Sequence, residues 1–218
     1  MEFDAERERM VKEQLVPRGI SDPAVLDAFR NVPREKFIDP QYQKLAYIDS
    51  PLMIGEGQTI SQPFTVAMMT QLLKLQPSDK VLEVGTGSGY QAAILAEVVR
   101  DGKVLTIERF ENLAEKARKI LKELKYLNVE VILGDGTKGL PSEAPFDAII
   151  VTAAAPEIPS PLVDQLKIGG RLVMPVGGDW HQEMVRLTKT KEGIERENFG
   201  GYRFVPLVGK YGVEEIKF

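Results

Sequence analysis

The spacing of apolar residues changes twice along this chain, and each change predicts a different kind of element. Between Val81 and Val176, short continuous apolar runs alternate with longer segments whose apolar residues recur every third or fourth position. Short runs of this kind predict buried strands, and the longer period predicts amphipathic helices. The predicted strands are Val81–Val84, Lys103–Glu108, Val129–Leu133, Asp147–Val151 and Arg171–Val176, and the predicted helices are Gln91–Val99, Asn112–Leu124 and Pro161–Leu166. The alternation predicts a doubly wound, mainly parallel α/β sheet.

The two flanking regions have other patterns. The N-terminal pattern predicts helices at Met1–Val16, Asp22–Phe29 and Thr65–Leu73, the second with an aspartate N-cap before a proline. After Gly178 the pattern predicts antiparallel strands at Gln182–Thr190, Gly193–Phe199 and Tyr202–Val208. We therefore expect a single domain over 1–218, with a helical and substrate-loop region at 1–76, a cofactor-binding core at 77–178 and C-terminal strands at 179–218.

The segment VLEVGTGSGY, Val81–Tyr90, carries the most chemical information. Its apolar strand runs into Gly85, Gly87 and Gly89, which let the backbone turn sharply and approach a ligand closely. The N–H groups of the following helix face the same crevice, at the carboxyl edge of the sheet. This arrangement predicts a nucleoside-binding site.

Two acidic residues indicate which nucleoside binds. The Gly-x-Gly-x-Gly spacing differs from the Gly-x-Gly-x-x-Gly turn of dinucleotide sites, and Glu83 would repel a pyrophosphate but attract a cation. Glu108 ends the next strand, where an acidic side chain accepts hydrogen bonds from ribose hydroxyls. S-adenosyl-L-methionine, which has a ribose, a sulfonium and an ammonium group but no phosphate, fits this pattern.

Alternatives stay open at this point. Arg109 could hold a ribose 2′-phosphate, as in a nicotinamide-dependent oxidoreductase, although a solvated arginine is the simpler interpretation. A non-catalytic protein that senses S-adenosyl-L-methionine would have the same turn. Both Glu83 and Glu108 could also be ordinary surface or helix-end charges.

Other strand ends supply further candidates. Asp135 is placed to accept from an adenine amine, or to stabilise its own turn, and Thr152 ends the fourth strand beside the crevice. That strand is followed by TAAAPEIP and not by Asn/Asp-Pro-Pro-aromatic, which disfavours a nucleic-acid amine as methyl acceptor. Ser61 lies over the cofactor's methionine end or caps the Pro63 helix, and His181 is expected at the surface.

Composition excludes several classes of protein. A net charge of −4 argues against general nucleic-acid binding, and the absence of cysteine with a single histidine argues against thiol chemistry and metal sites. No apolar run is long enough to span a membrane, and Met1–Met10 is too charged for a secretory signal. We expect a cytoplasmic enzyme without a metal.

Six segments together resemble the protein-L-isoaspartate (D-aspartate) O-methyltransferase family over nearly the whole chain. They are VPREKF at Val32–Phe37, GEGQTISQPF at Gly55–Phe64, LEVGTGSGYQAA, PFDAIIVTAAAPEIP, LKIGGRLVMPVG and YRFVPLVG at Tyr202–Gly209. The resemblance implies a class I S-adenosylmethionine-dependent methyltransferase fold, and it allows a rearranged order of the last strands. It also implies methyl transfer to the free α-carboxyl group of L-isoaspartyl residues in damaged proteins and peptides. The ester then cyclises to a succinimide, which hydrolyses partly to normal aspartate.

The resemblance and the residue chemistry together assign roles. Ser61 matches the family's active-site serine. A carboxylate acceptor is already ionised at neutral pH, so no general base is needed. We expect a monomer that binds isoaspartyl proteins and peptides but neither nucleic acid nor membranes. The predicted cofactor residues are Glu83, Gly85, Thr86, Gly87, Gly89, Glu108, Asp135, Gly136 and Thr152, and the predicted substrate residues are Thr59, Ile60, Ser61, Gln62 and Val208.

Overall fold

Nine strands and six α-helices make up the computed structural model, which describes residues 3–178 and 180–214. The strands are β1 (Leu52–Gly55), β2 (Gln58–Ile60), β3 (Lys80–Val84), β4 (Lys103–Glu108), β5 (Val129–Leu133), β6 (Phe146–Val151), β7 (Leu166–Gly177), β8 (Gln182–Lys189) and β9 (Ile194–Tyr202). The helices are α1 (Asp4–Met10), α2 (Pro23–Asn31), α3 (Pro63–Leu73), α4 (Tyr90–Val98), α5 (Glu111–Glu123) and α6 (Ser160–Asp164).

A seven-stranded sheet in the order β5-β4-β3-β6-β7-β8-β9 forms the centre of the fold. The strands from β5 to β7 pair in parallel, and β8 and β9 pair antiparallel, each next to its predecessor in the chain. This confirms the predicted mainly parallel sheet with antiparallel C-terminal strands. The strand order reverses between β3 and β6, and open α/β sheets bind ligands at such a switch point.

The two faces of the sheet have different partners. Alternate residues of β3 point to opposite faces, so Val81 packs with the N-terminal helices and α3, α4 and α5, whereas Leu82 packs with α6 and the loops beside it. Helices α3 and α4 are apolar nearly all round because each is enclosed by other elements. Residues of 10–73 share one apolar cluster with the sheet, so the N-terminal region packs directly against the cofactor-binding core.

Two predicted elements are wrong in detail. The described part of Met1–Val16 is α1, followed by a π-helical turn at Val11–Leu15 and a 3₁₀ turn at Val16–Arg18, and residues 1–2 lie outside the described chain. Gly193–Phe199 forms the main part of the longer strand β9, but Tyr202–Val208 is not a further sheet strand. After Tyr202 the chain leaves the sheet and bonds to the loop that follows β6. Ala154 donates to Val205 O at 2.8 Å and accepts from Leu207 N at 2.6 Å.

The sequence pattern did not reveal the hairpin formed by β1 and β2, because its strands are short and half exposed. The hairpin matters for function since it leads directly into Ser61 and the start of α3.

Candidate functional site

The glycine turn after β3 has the backbone conformation that the sequence predicted. Gly85 and Gly87 have φ of +98° and +53°, which residues with a Cβ rarely adopt. Gly85 N donates to Ile107 O at 2.9 Å, and a Cβ at Gly85 would collide with the Thr152 hydroxyl. Glycine is therefore required by both the dihedral angle and the available space.

An open cleft of about 1100 Å³ lies over this turn, at the carboxyl ends of β3, β4 and β6. Four parts of the chain enclose the cleft: β2 with Ser61, residues of α3 and α4, the turns after the sheet strands, and the C-terminal extended segment. Ten of the site residues that the sequence predicted line the cleft: Thr59, Ile60, Ser61, Gly85, Thr86, Gly87, Glu108, Gly136, Thr152 and Val208.

Glu108 shapes the cleft as well as lining it. One oxygen accepts from Gly87 N at 2.8 Å, and the other accepts from Arg109 N at 2.8 Å and Phe110 N at 3.0 Å. A carboxylate offers about four acceptor positions, so about one is left for a ligand hydroxyl. The carboxylate thereby ties the turn after β3 to the turn after β4.

Glu83 does not line the cleft. It is fully buried, and neither carboxyl oxygen has a hydrogen-bond partner among the described residues. The neighbouring Thr106 hydroxyl lies 2.6 Å from the Thr86 hydroxyl instead. Burial raises the pKa of Glu83 to about 8, with a smaller rise from Glu108 and an opposing effect of Thr106.

Asp135 and Gly89 also face away from the cleft. Asp135 accepts from Thr137 N at 3.0 Å and from Lys210 N at 3.0 Å, so its carboxylate closes its own turn and holds the C-terminal segment. A Cβ at Gly89 would lie 3.3 Å from Ala117 Cβ, which shows that this glycine permits close packing of α4 on α5. For Asp135, the turn-stabilising alternative describes the geometry better than an adenine contact.

Ser61 lies where the lining of the cleft passes into a second cavity. The helix-cap interpretation of its hydroxyl is wrong, since the N-cap of α3 is Gln62 and no side chain of the N-cap residue bonds to the helix. Asp49 takes over this role from a distant loop, accepting from Phe64 N at 2.9 Å and from the Gln62 amide at 3.1 Å. The serine hydroxyl has no structural hydrogen bond in the described chain.

Arg34, from the VPREKF segment, supports the same loop from behind. Its guanidinium is fully buried, with Nη2 donating to Ser61 O at 2.8 Å and Nε donating to Ala46 O at 2.8 Å. It also lies 4.8 Å from the centre of the Tyr90 ring, a cation–π contact at the start of α4. The segment thus connects the Ser61 loop to the helix that follows the glycine turn.

Sequence reasoning missed several of these residues. Tyr90 and Phe110 line the cleft, and Arg34 and Asp49 hold its Ser61 loop. Arg34 and Tyr90 belong to the segments VPREKF and LEVGTGSGY, which locates a motif without showing what it contacts, whereas Asp49 and Phe110 lie in no segment that the sequence singled out. His181 is exposed beside Glu183 and lines neither cavity, as expected for a surface histidine.

Switch-point topology, a glycine turn and an acidic residue at the end of β4 are features of a class I S-adenosylmethionine-dependent methyltransferase fold, and the solved structures that resemble this chain have that fold. The family model for protein-L-isoaspartate (D-aspartate) O-methyltransferase matches residues 5–212. The chain belongs to this family.

Relatives match over nearly their whole length. Protein-L-isoaspartate O-methyltransferase 1 of Syntrophobacter fumaroxidans is 55% identical over 212 residues, 97% of this chain and 98% of that protein. The enzyme of Methanoregula boonei is 56% identical over 209 residues, 96% of this chain and 95% of that protein. A solved beta-aspartate methyltransferase from Plasmodium falciparum, in complex with S-adenosyl-L-homocysteine, is 30% identical with a TM-score of 0.80, covering 94% of this chain and 97% of that chain.

No group of three or more His, Cys, Asp and Glu side chains within 3–178 and 180–214 could hold a metal ion. No helix in these ranges is long and apolar enough to cross a membrane.

Glu83→Gln should change how stability depends on pH. The raised folded-state pKa, about 8 against an ordinary 4.5, means that the folded protein retains a proton that the unfolded chain releases above about pH 4.5. Wild-type stability therefore falls from this source as pH rises from about 4.5 to 8, and a neutral glutamine removes that fall. In denaturant unfolding without cofactor, the stability of the variant relative to wild type should increase steadily from about pH 5 to 8. Parallel pH curves would show that Glu83 ionises normally in the folded protein.

Proposed function

We propose that this chain transfers a methyl group from S-adenosyl-L-methionine to the free α-carboxyl group of L-isoaspartyl residues in damaged proteins and peptides. Membership of the family supports the reaction. The observation that carries the proposal is the position of Ser61, whose free hydroxyl borders both the cofactor cleft and a second cavity open to a peptide.

The residues of the cleft fit S-adenosyl-L-methionine. When bound, this cofactor supplies an electrophilic methyl group on a sulfonium, and S-adenosyl-L-homocysteine remains after transfer. Gly85 and Gly87 admit the ligand close to the backbone, and the remaining acceptor position of Glu108 suits a ribose hydroxyl. Thr86, Gly136 and Thr152 complete the wall. Glu83 is buried beneath the turn and does not touch the ligand. A cationic ligand in the cleft favours the ionised form of its carboxyl group.

The acceptor needs no general base. A carboxylate with an ordinary pKa near 4 is ionised at neutral pH. The described residues that line the cleft include neither histidine nor lysine, which agrees with a mechanism of positioning and partial desolvation. Ser61 orients the acceptor oxygen by donating its hydroxyl proton in a hydrogen bond, without proton transfer.

The peptide is held between the segment that contains Ser61 and the C-terminal segment after Tyr202. Thr59, Ile60 and Val208 line the cleft beside Ser61, and Gln62 lines the adjoining cavity. Within the described chain, the segment after Tyr202 forms a bridge at Pro206 with Ala154 of the loop after β6, which uses the Val205 carbonyl and the Leu207 N–H. Its remaining backbone groups are the ones we propose for pairing with the peptide.

We infer that the enzyme works as a cytoplasmic monomer on proteins and peptides, without binding nucleic acid or membranes. The net charge of −4 supports this inference because general nucleic-acid binding needs phosphate-neutralising cations. The single-domain organisation over 1–218 is part of the same inference, supported by the apolar cluster that the N-terminal region shares with the sheet.

Methyl-labelled S-adenosyl-L-methionine tests the reaction with matched peptides that differ only in isoaspartyl or aspartyl linkage. We expect multiple turnovers on the isoaspartyl peptide and background label on the aspartyl one. Equal labelling of both peptides, or none on either, would contradict the proposal. Binding of S-adenosyl-L-methionine without label on either peptide would indicate a non-catalytic binding protein.

Glu108→Gln should weaken S-adenosyl-L-homocysteine binding about tenfold to a hundredfold, because hydrogen bonds to a charged acceptor contribute roughly 1.5–3 kcal/mol. Isothermal titration measures the dissociation constant, with circular dichroism to verify the fold. Glu130→Gln is the matched control, since this exposed strand residue pairs with Lys103 away from the cleft. Unchanged affinity in Glu108→Gln would remove Glu108 from the cofactor site.

Ser61→Ala separates the acceptor role from a structural one. Its hydroxyl does not cap α3, so stability should change by less than about 0.5 kcal/mol. The single-turnover rate at saturating cofactor should fall about tenfold, as expected for one lost hydrogen bond in the transition state. Ser142→Ala, at an exposed turn, serves as the control. A wild-type rate in Ser61→Ala would show that residues other than Ser61 orient the acceptor carboxylate.

A further inference from the structure

A second cavity, with an open volume of about 1090 Å³, adjoins the cofactor cleft. The two spaces share Thr59, Ser61 and Thr152 on one side and Val205 and Pro206 on the other. A substrate whose acceptor group lies at Ser61 therefore continues into the second cavity. Peptide residues next to the isoaspartyl residue are the groups that would occupy it.

Arg203 is the one ionisable residue among the described residues that line this cavity. It is exposed, and it makes neither a hydrogen bond nor an ion pair with any part of the chain described. Nearby arginines differ: Arg18 pairs with Asp49 and stacks on Phe64, and Arg186 pairs with Glu197. A cation at a cavity that no described residue of its own chain pairs with is available to an anionic ligand.

The backbone around Arg203 is held in place. The Gln182 side chain bonds to both backbone groups of Phe204, accepting from its N–H at 2.6 Å and donating to its carbonyl at 3.2 Å. Phe204 also contacts the Tyr202 ring, with the centroids 6.4 Å apart. The base of the arginine is therefore fixed on both sides, while none of the described residues bonds to its guanidinium.

We propose that Arg203 binds a second carboxylate of the substrate, on an aspartate or glutamate side chain close in sequence to the isoaspartyl residue. This inference rests on the proposed function and adds a peptide preference to it. The acceptor carboxylate is a different group, since it must reach the cofactor cleft, whose described lining does not include Arg203. A planar guanidinium matches a carboxylate with two parallel hydrogen bonds, which favours this ligand over other polar groups.

The test uses isoaspartyl peptides in which glutamate, glutamine or lysine is placed in turn at the two positions before and the two after the isoaspartyl residue. Every peptide is made with a free and with an amidated C-terminus, which separates a side-chain carboxylate from the terminal one. At low salt, glutamate at one or more positions should raise kcat/KM about three- to fivefold over glutamine, the range of a partly exposed ion pair. The advantage should shrink as salt is added.

Two variants connect that preference to the arginine. Arg203→Gln should abolish the glutamate advantage, and Arg203→Glu should reverse it in favour of lysine, with little change on the all-glutamine peptide. Arg196→Gln is the control, because Arg196 is exposed on β9 and does not line the cavity.

Three results would overturn the inference alone: equal rates throughout the wild-type series, a preference that survives in Arg203→Gln, or a gain that requires the free C-terminus. Failure of the wild-type enzyme to methylate any isoaspartyl peptide would instead overturn the proposed function, and this inference with it.

Discussion

The carboxylate of Glu108 holds together the two turns on which the cofactor cleft depends. It accepts from Gly87 in the turn after β3 and from Arg109 and Phe110 in the turn after β4. Backbone N–H groups at such turns are short of partners, and a charged acceptor that serves three of them organises both loops at once. The same side chain then presents its remaining acceptor position to the ligand, so shaping the site and binding in it cannot be separated.

The N-terminal region serves the site from the other side. Arg34 bonds to the carbonyl of Ser61, and Asp49 caps the start of α3, so no structural hydrogen bond among the described residues involves the serine hydroxyl. A buried guanidinium is costly unless its donors are used, and two donors of Arg34 bond to the carbonyl oxygens of Ala46 and Ser61. A sheet of this kind can bind a nucleoside by itself. The contacts of Arg34 and Asp49 therefore explain why an N-terminal region of some sixty residues precedes it.

Glu83 shows that a sequence position and a structural role can differ. An acidic residue just before the glycine turn suggested a direct contact with a cation, yet the side chain lies on the face of β3 that packs against helices. Its two oxygens have no hydrogen-bond partner among the described residues, and burial raises its pKa to about 8. Because Glu83 lies directly beneath the turn, its ionisation is sensitive to charge in the cleft although its side chain does not contact a ligand there.

The sequence alone determined the parallel strands, most helices, the glycine turn and the family, because each depends on local periodicity or on contiguous motifs. It also indicated Ser61, Glu108 and the lining glycines. The tertiary structure decided the rest. The contact of Arg34 with Ser61 spans 27 residues and that of Glu108 with Gly87 spans 21, so no local pattern encodes them. The same holds for Asp135, whose carboxylate binds Lys210 across 75 residues, and for Tyr202–Val208, which leaves the sheet to bond beside β6. Periodicity shows which face of a strand is buried, but only the assembled fold shows what lies against it.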